Sequence, residues 1–262
     1  MEYPITVDQR SAIGSNTTQI GQQNNYYGMT PMEATELAMK LFWDNFPKLQ
    51  QQAIETIEKR IEDLVKEIVN KLEQENVKDL TPFTDPDVQY ALYEVQRDYA
   101  RMGTKEMLDS LTALLVRRVK CDGDYRAEVI IDKAISIAGS LLPEHLDLLA
   151  VIFIGLHVKF SCQSCIQLKK TWKLYTDSFQ QARIKDTNYL FSLGCLVLNL
   201  NNPVDLAVEA YKFKKEDVEA ICPPAFKQIP GDYGLSEIGM VLALTHIKVK
   251  MDVNLDWSIW IN

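Results

Sequence analysis

The sequence has no long apolar run. Its most apolar stretch, residues 148–158 (LLAVIFIGLHV), is eleven residues long, well short of the roughly 20 a helix needs to cross a bilayer, and it reads as a buried core helix. Glycine and proline are sparse, 11 and 10 of 262 residues, which excludes collagen-like and low-complexity chains. Basic charge is in deficit: 28 Lys plus Arg face 36 Asp plus Glu, for a formal net charge of −8. Such a chain repels phosphate backbones and anionic lipid on average, so no nucleic-acid partner is expected. The basic clusters Arg117-Arg118-Val119-Lys120, Lys169-Lys170 with Lys173, and Lys212 with Lys214-Lys215 read as solvated helix faces and ends.

Cysteine is scarce and odd in number, five residues in a chain with ample apolar content. Reduced thiols in a cytoplasmic protein are the economical reading. The opening MEYPITVDQR lacks a cationic segment followed by an apolar one, so no secretory signal is expected. GxSxG, HExxH, the P-loop and GxGxxG are all missing, which argues against a hydrolase or nucleotide enzyme and leaves no cofactor to expect. Cys162-Gln163-Ser164-Cys165 is the one paired-thiol motif. A structural zinc would need further ligands, of which His157 is the nearest, and a redox dithiol would want a βαβ setting rather than a helical one. Cys162, Cys165 and His157 are therefore only a weak metal candidate. His145 and His246 read as packing or helix-end residues rather than general bases.

Two regimes are present. Residues 1–29 are rich in Asn, Gln, Ser and Thr and show no helical apolar period; from Thr30 onward nearly everything reads as helix. Thr30-Pro31-Met32-Glu33 marks the change with a capping box and a proline suited to the first helical position. The expected architecture is all-α: a multi-helix bundle of about nine helices over 30–262, preceded by an extended polar arm (1–29) and followed by a short C-terminal strand at 254–262. A subdivision point falls near 121–124.

The first helix is expected over about 32–75, kinked or divided at Pro47. Beyond it Ile54, Ile57, Ile61, Leu64, Ile68 and Leu72 recur at spacings of 3, 4, 3, 4 and 4. This apolar stripe packs within the chain or serves as an oligomer seam. Asp85-Pro86, Gly103, Thr104, the 121–124 turn and Pro143 punctuate helices at 86–103, 105–120, 125–138 and 143–158. Further helices are expected at 165–182, 187–198, 203–221 and 235–249.

The arm carries the functional signal. In an extended chain Thr18 and Ile20 share one face and Gln19 and Gly21 the other. Gln22, Gln23, Asn24 and Asn25 offer amides that ladder with identical residues on stacked chains. Gly21 permits close sheet-to-sheet approach. No Lys, Arg, Asp or Glu lies between Ser11 and Pro31, so in-register stacking meets no charge repulsion.

Thr18-Gln19-Ile20-Gly21-Gln22-Gln23-Asn24 resembles the core of the receptor-interacting-protein homotypic interaction motif: a β-branched residue, Gln, an aliphatic residue, Gly, two variable residues and Asn. Thr18 stands where Ile or Val is usual, which weakens the apolar zipper. Similar Gln-aliphatic-Gly motifs in fungal and bacterial immune-type proteins template assembly between a sensor and an effector. NNYYGMTPMEATELA, DPDVQYALYEVQRDYARMG and LDWSIWIN also resemble an uncharacterised family of bacterial cytoplasmic helical proteins. These resemblances imply a non-enzymatic, self-assembling interaction protein with a role in anti-phage defence or stress signalling. Thr18, Gln19, Ile20, Gly21, Asn24, Asn25, Tyr26 and Tyr27 would form its homotypic face. Its partners would be copies of itself and a second protein with a matching motif. The alternatives are an oligomerisation-dependent membrane-disrupting effector inserting 148–158, and a thiol- or metal-dependent enzyme.

Overall fold

The computed structural model describes residues 31–121, 123–182, 184–199, 202–227 and 233–253. The 1–29 arm with its 18–24 motif, the Thr30 cap and the strand expected at 254–262 lie outside the described residues. Eleven α-helices and one two-stranded ribbon are present among the described residues, so the chain is all-α with more and shorter helices than the nine expected. The chain divides into two compact units, Met1–Gln52 and Ala53–Asn262, and the boundary falls inside the first helix.

That helix, α1 (Pro31–Gln74), continues through Pro47; of the kink or division expected there, the division is not made. A proline removes one N–H and crowds the carbonyl four residues earlier. The bond that would reach the Trp43 carbonyl is lost, and the Lys48-Leu49-Gln50-Gln51-Gln52-Ala53 run that follows favours helix and resumes the ladder.

In the second unit the punctuation works as read. Asp85 accepts from the Asp87 amide at 2.8 Å and opens α2 (Pro86–Met102), which Gly103 closes in the left-handed region at φ 64°. The Thr104 hydroxyl accepts from Met107 N at 3.3 Å to start α3 (Lys105–Lys120). Asp124 caps α4 (Tyr125–Ala138) through Ala127 N at 3.1 Å. Ahead of α5 (Pro143–His157) the cap position is Leu142, which has no side-chain acceptor; instead His145 Nδ1 accepts the Leu142 amide at 3.0 Å. His145 is thus the helix-end residue expected of it. Arg60 donates to the Ala100 and Arg101 carbonyls at 2.5 and 3.0 Å, placing positive charge on the carbonyl end of α2.

The later elements are more broken than expected. The 165–182 helix stops early as α6 (Cys165–Asp177). The 187–198 segment is α7 (Thr187–Ser192) followed by strand β1 (Leu196–Leu198). The 203–221 segment divides into α8 (Pro203–Tyr211) and α9 (Lys215–Ile221), because Lys212 takes a left-handed conformation at φ 58°. Pro224–Lys227 forms the short α10. Strand β2 (Tyr233–Leu235) pairs antiparallel with β1 in the register Leu196↔Leu235, Val197↔Gly234 and Leu198↔Tyr233, and leads into α11 (Glu237–Met251). Gly239 is required at this junction, since a Cβ there would lie 2.0 Å from the Cys195 carbonyl oxygen.

The core is built on α5 and α11. From His145 to Ile154 every residue of α5 is buried, as expected of a helix apolar on all sides. Helix α11 packs against α3, α4 and α5, and α2 packs on α3 and α4. Leu64, Ile68 and Leu72 join this core from α1. No helix of the described residues is long and apolar enough to cross a membrane.

Candidate functional site

In the first unit every residue from Thr35 to Gln52 is exposed, yet the helix is not polar. Met32, Met39, Phe42, Trp43, Phe46 and Leu49 are between 41% and 72% exposed. Their positions, with α1's 3.6-residue turn, put all six on one side; Leu37 and Leu41 lie on the opposite side. Phe42, Trp43 and Phe46 form a ring cluster with centroids 5.3, 5.6 and 6.2 Å apart. Large apolar and aromatic side chains expose on the order of 100 Å² each when half covered. The six then present roughly 600 Å² of apolar surface, above the few hundred Å² at which patches mark interaction sites. Burying it would contribute about 15 kcal/mol at ~25 cal/mol/Å², before ordering costs. The sequence reading looked for the seam beyond Pro47 and missed this half; the 3-and-4 spacing of Met39, Phe42, Phe46 and Leu49 was its available signal.

Of the seam residues read beyond Pro47, Ile54 and Ile57 are 42% and 44% exposed, Ile61 is half-buried, and Leu64, Ile68 and Leu72 are buried in the second unit's own core.

The second unit holds a buried polar cluster that the sequence reading did not assemble. Asp147, fully buried, accepts from Lys250 Nζ at 2.7 Å and lies 2.7 Å from His246 Nε2 through the same carboxylate oxygen; its other oxygen accepts the Gln181 amide at 3.1 Å. Burial alone would raise the Asp147 carboxyl pKa, but the His246 and Lys250 hydrogen bonds outweigh it and hold the group below the ordinary aspartate value. Lys250 also sits 5.2 Å from the Phe179 ring centre. His246 Nδ1 has no hydrogen-bond partner among the described residues. The cluster ties α5, α11 and the 179–181 turn together.

Clefts open on this unit. One, about 960 Å³, carries five carboxylates and five lysines; Glu75 bridges Lys120 and Lys248 there at 2.7 Å each. Its signs balance, so it offers no net field for an anion or a cation. A second, about 510 Å³, lies among His157, Trp172, Leu206 and Tyr211, with burial pushing the His157 pKa down. Tyr211 Oη accepts the Phe160 amide at 2.6 Å. A third, about 250 Å³, is lined by Leu148, Phe179 and Pro224 among others.

Cys165 opens α6 beneath the Ser164 cap, and Cys162 Sγ lies 3.9 Å from Thr171 Oγ1. No group of three or more His, Cys, Asp or Glu is placed to hold a metal among the described residues. All five cysteines are free thiols; Cys121, Cys195 and Cys222 are buried, and burial pushes the Cys195 thiol up to about 12. Titration of the native protein with a thiol reagent at neutral pH is therefore expected to modify Cys162 and Cys165 promptly and the other three only on unfolding. Mass spectrometry of the labelled peptides reads this directly; early labelling of Cys195 would contradict the packing around it.

The second unit is an all-helical body with a minor β-ribbon and a buried Asp147 tie, and the first unit carries the exposed aromatic cluster of Phe42, Trp43 and Phe46. The model of an uncharacterised-like protein family matches residues 28–230. The chain belongs to that family. No curated protein and no solved structure shows significant similarity to it.

Proposed function

We propose that the protein is a non-enzymatic interaction protein that self-assembles through its N-terminal region. The observation that carries this reading is the exposed aromatic face of α1, which immediately follows the amide-rich arm in sequence. An apolar surface of this size on a helix calls for a partner. The arm's Gln19, Ile20, Gly21 and Asn24 would supply the homotypic contact, with a second protein bearing a like motif as a further partner. An anti-phage or stress-signalling role in a bacterial cytoplasm follows from the motif's class, and the reduced thiols accord with that compartment. Membrane disruption is less well supported: the 148–158 segment it would insert lies largely in α5, the most buried helix of the body.

Sizing and electron microscopy of the full chain beside one lacking residues 1–29 test the proposal. Higher-order assemblies are expected from the full chain and not from the shortened one. If both behave as identical monomers, and Gln19, Ile20 and Gly21 changed together to Ala leave them so, the reading is lost.

A further inference from the structure

We propose that the 32–49 face of α1 pairs, parallel and in register, with the same face of a second copy of this chain. The inference deepens the assembly reading and rests on it for the orientation. Assigning heptad letters from Met32 puts Met32, Met39 and Phe46 at a and Thr35, Phe42 and Leu49 at d, which is the two-per-seven seam of a coiled coil. Glu36, Lys40, Asp44 and Lys48 all fall outside a and d. Pro47 falls at b, away from the seam, where its ring does not meet a partner helix.

A second copy is the occupant this face suits. Its period is matched by another helix of the same period, knob into hole. The positions flanking the seam in a parallel pair, Ala38 with Trp43 and Asn45 with Gln50, bring no like charges together. Two copies of the roughly 600 Å² patch bury about 1,200 Å², the lower end of a stable interface. The ring cluster supplies aromatic anchors of the kind that dominate such interfaces.

The direction follows from the chain that precedes α1. Parallel helices pack 8–10 Å apart, which starts the two 1–30 segments side by side at about the ~10 Å spacing of stacked sheets. An antiparallel pair would separate those starts by the length of the segment, roughly 26 Å at 1.5 Å per residue. The parallel form starts the two homotypic motifs side by side, with no length of chain spent on bridging that offset.

Light scattering and cross-linking on the full chain test this, all variants in a Cys162→Ser, Cys165→Ser background whose circular dichroism and melting match the parent. The background protein is expected to be at least dimeric at micromolar concentration, and Phe42→Glu with Phe46→Glu to halve its mass or more without changing the melting of the body. Under mild oxidation Met32→Cys and Leu49→Cys should each form a same-site disulfide dimer, and a mixture of the two, which an antiparallel pair would bring opposite one another, should give no preference for the mixed product. A preferred mixed product would overturn the parallel register, and an unchanged mass in the Phe42/Phe46 variant would overturn the face. So would a monomeric parent that co-sediments with anionic phospholipid vesicles and loses them on the Phe42/Phe46 change, which would assign the face to lipid. Alanine at Gln19, Ile20 and Gly21 separates the two readings: dimers that persist while larger assemblies vanish support both. Unchanged assemblies that the Phe42/Phe46 variant nevertheless breaks remove the arm's role and keep the helix pair.

Discussion

Asp147→Ala is expected to destabilise the second unit by about 3–5 kcal/mol, because it strands buried polar partners without their acceptor. His246 is 4% exposed and loses its one hydrogen-bonded neighbour, while Lys250 and the Gln181 amide lose theirs. Chemical denaturation followed by circular dichroism measures the loss, and Asp147→Asn should fall between the variant and the parent because it keeps the volume and one acceptor. The pH dependence has a definite direction. Since the folded-state pKa of Asp147 is held below its unfolded value, its stabilising contribution is complete above about pH 4–5 and is lost as the pH falls through the folded pKa. The gap between parent and Asp147→Asn should therefore narrow below about pH 4. Glu94, Asp109 and Asp132, whose pKa values are raised, first of all by burial, act in the opposite sense but are common to both proteins and drop out of the difference. A gap that stayed constant to pH 2.5 would show that the carboxylate charge is not what the cluster uses.

Phe153→Ala is expected to cost about 3–5 kcal/mol. Its ring is 1% exposed in the middle of α5 and stacks at 5.5 Å on His157, and α5 is the helix on which α11 packs. Local collapse is opposed by the α5 residues on its N-terminal side, Leu149 to Ile152, which are themselves fully packed in the core. Phe153→Leu keeps most of the volume and should recover more than half of the loss. Equal stability of the Ala variant and the parent would mean that the α5 surroundings close over the void.

Much of the helical frame could be read in advance, and for a common reason. The starts of α2, α3 and α4 and the end of α2 each depend on a residue within a few positions, Asp85, Thr104, Asp124 and Gly103, whose capping chemistry is local. Strand β1 was read as helix because LVL sits in a continuous apolar run where period does not separate the two forms, and its partner β2 is 35 positions away along the chain. The Asp147 cluster was hidden for the same reason, since its pairs are 99 and 103 residues apart. A hint existed in the spacing of His246 and Lys250, four apart and so on one helix face. The α1 face was legible but masked by Pro47, which drew attention to a break that the helix does not make.

The placement of α11 bears on how the protein is made. It completes the core of α3, α4 and α5, yet residues 158–236 separate it from the nearest of them. At synthesis rates of about 5–20 residues per second those three helices wait roughly 4–16 s for the element that covers them. During that interval their apolar sides are open while α1, the helix proposed to associate, has already left the ribosome. Neighbouring nascent chains on one messenger would then meet through α1 before either body is closed, so assembly would begin on the polysome and a holding chaperone would be engaged there rather than after release.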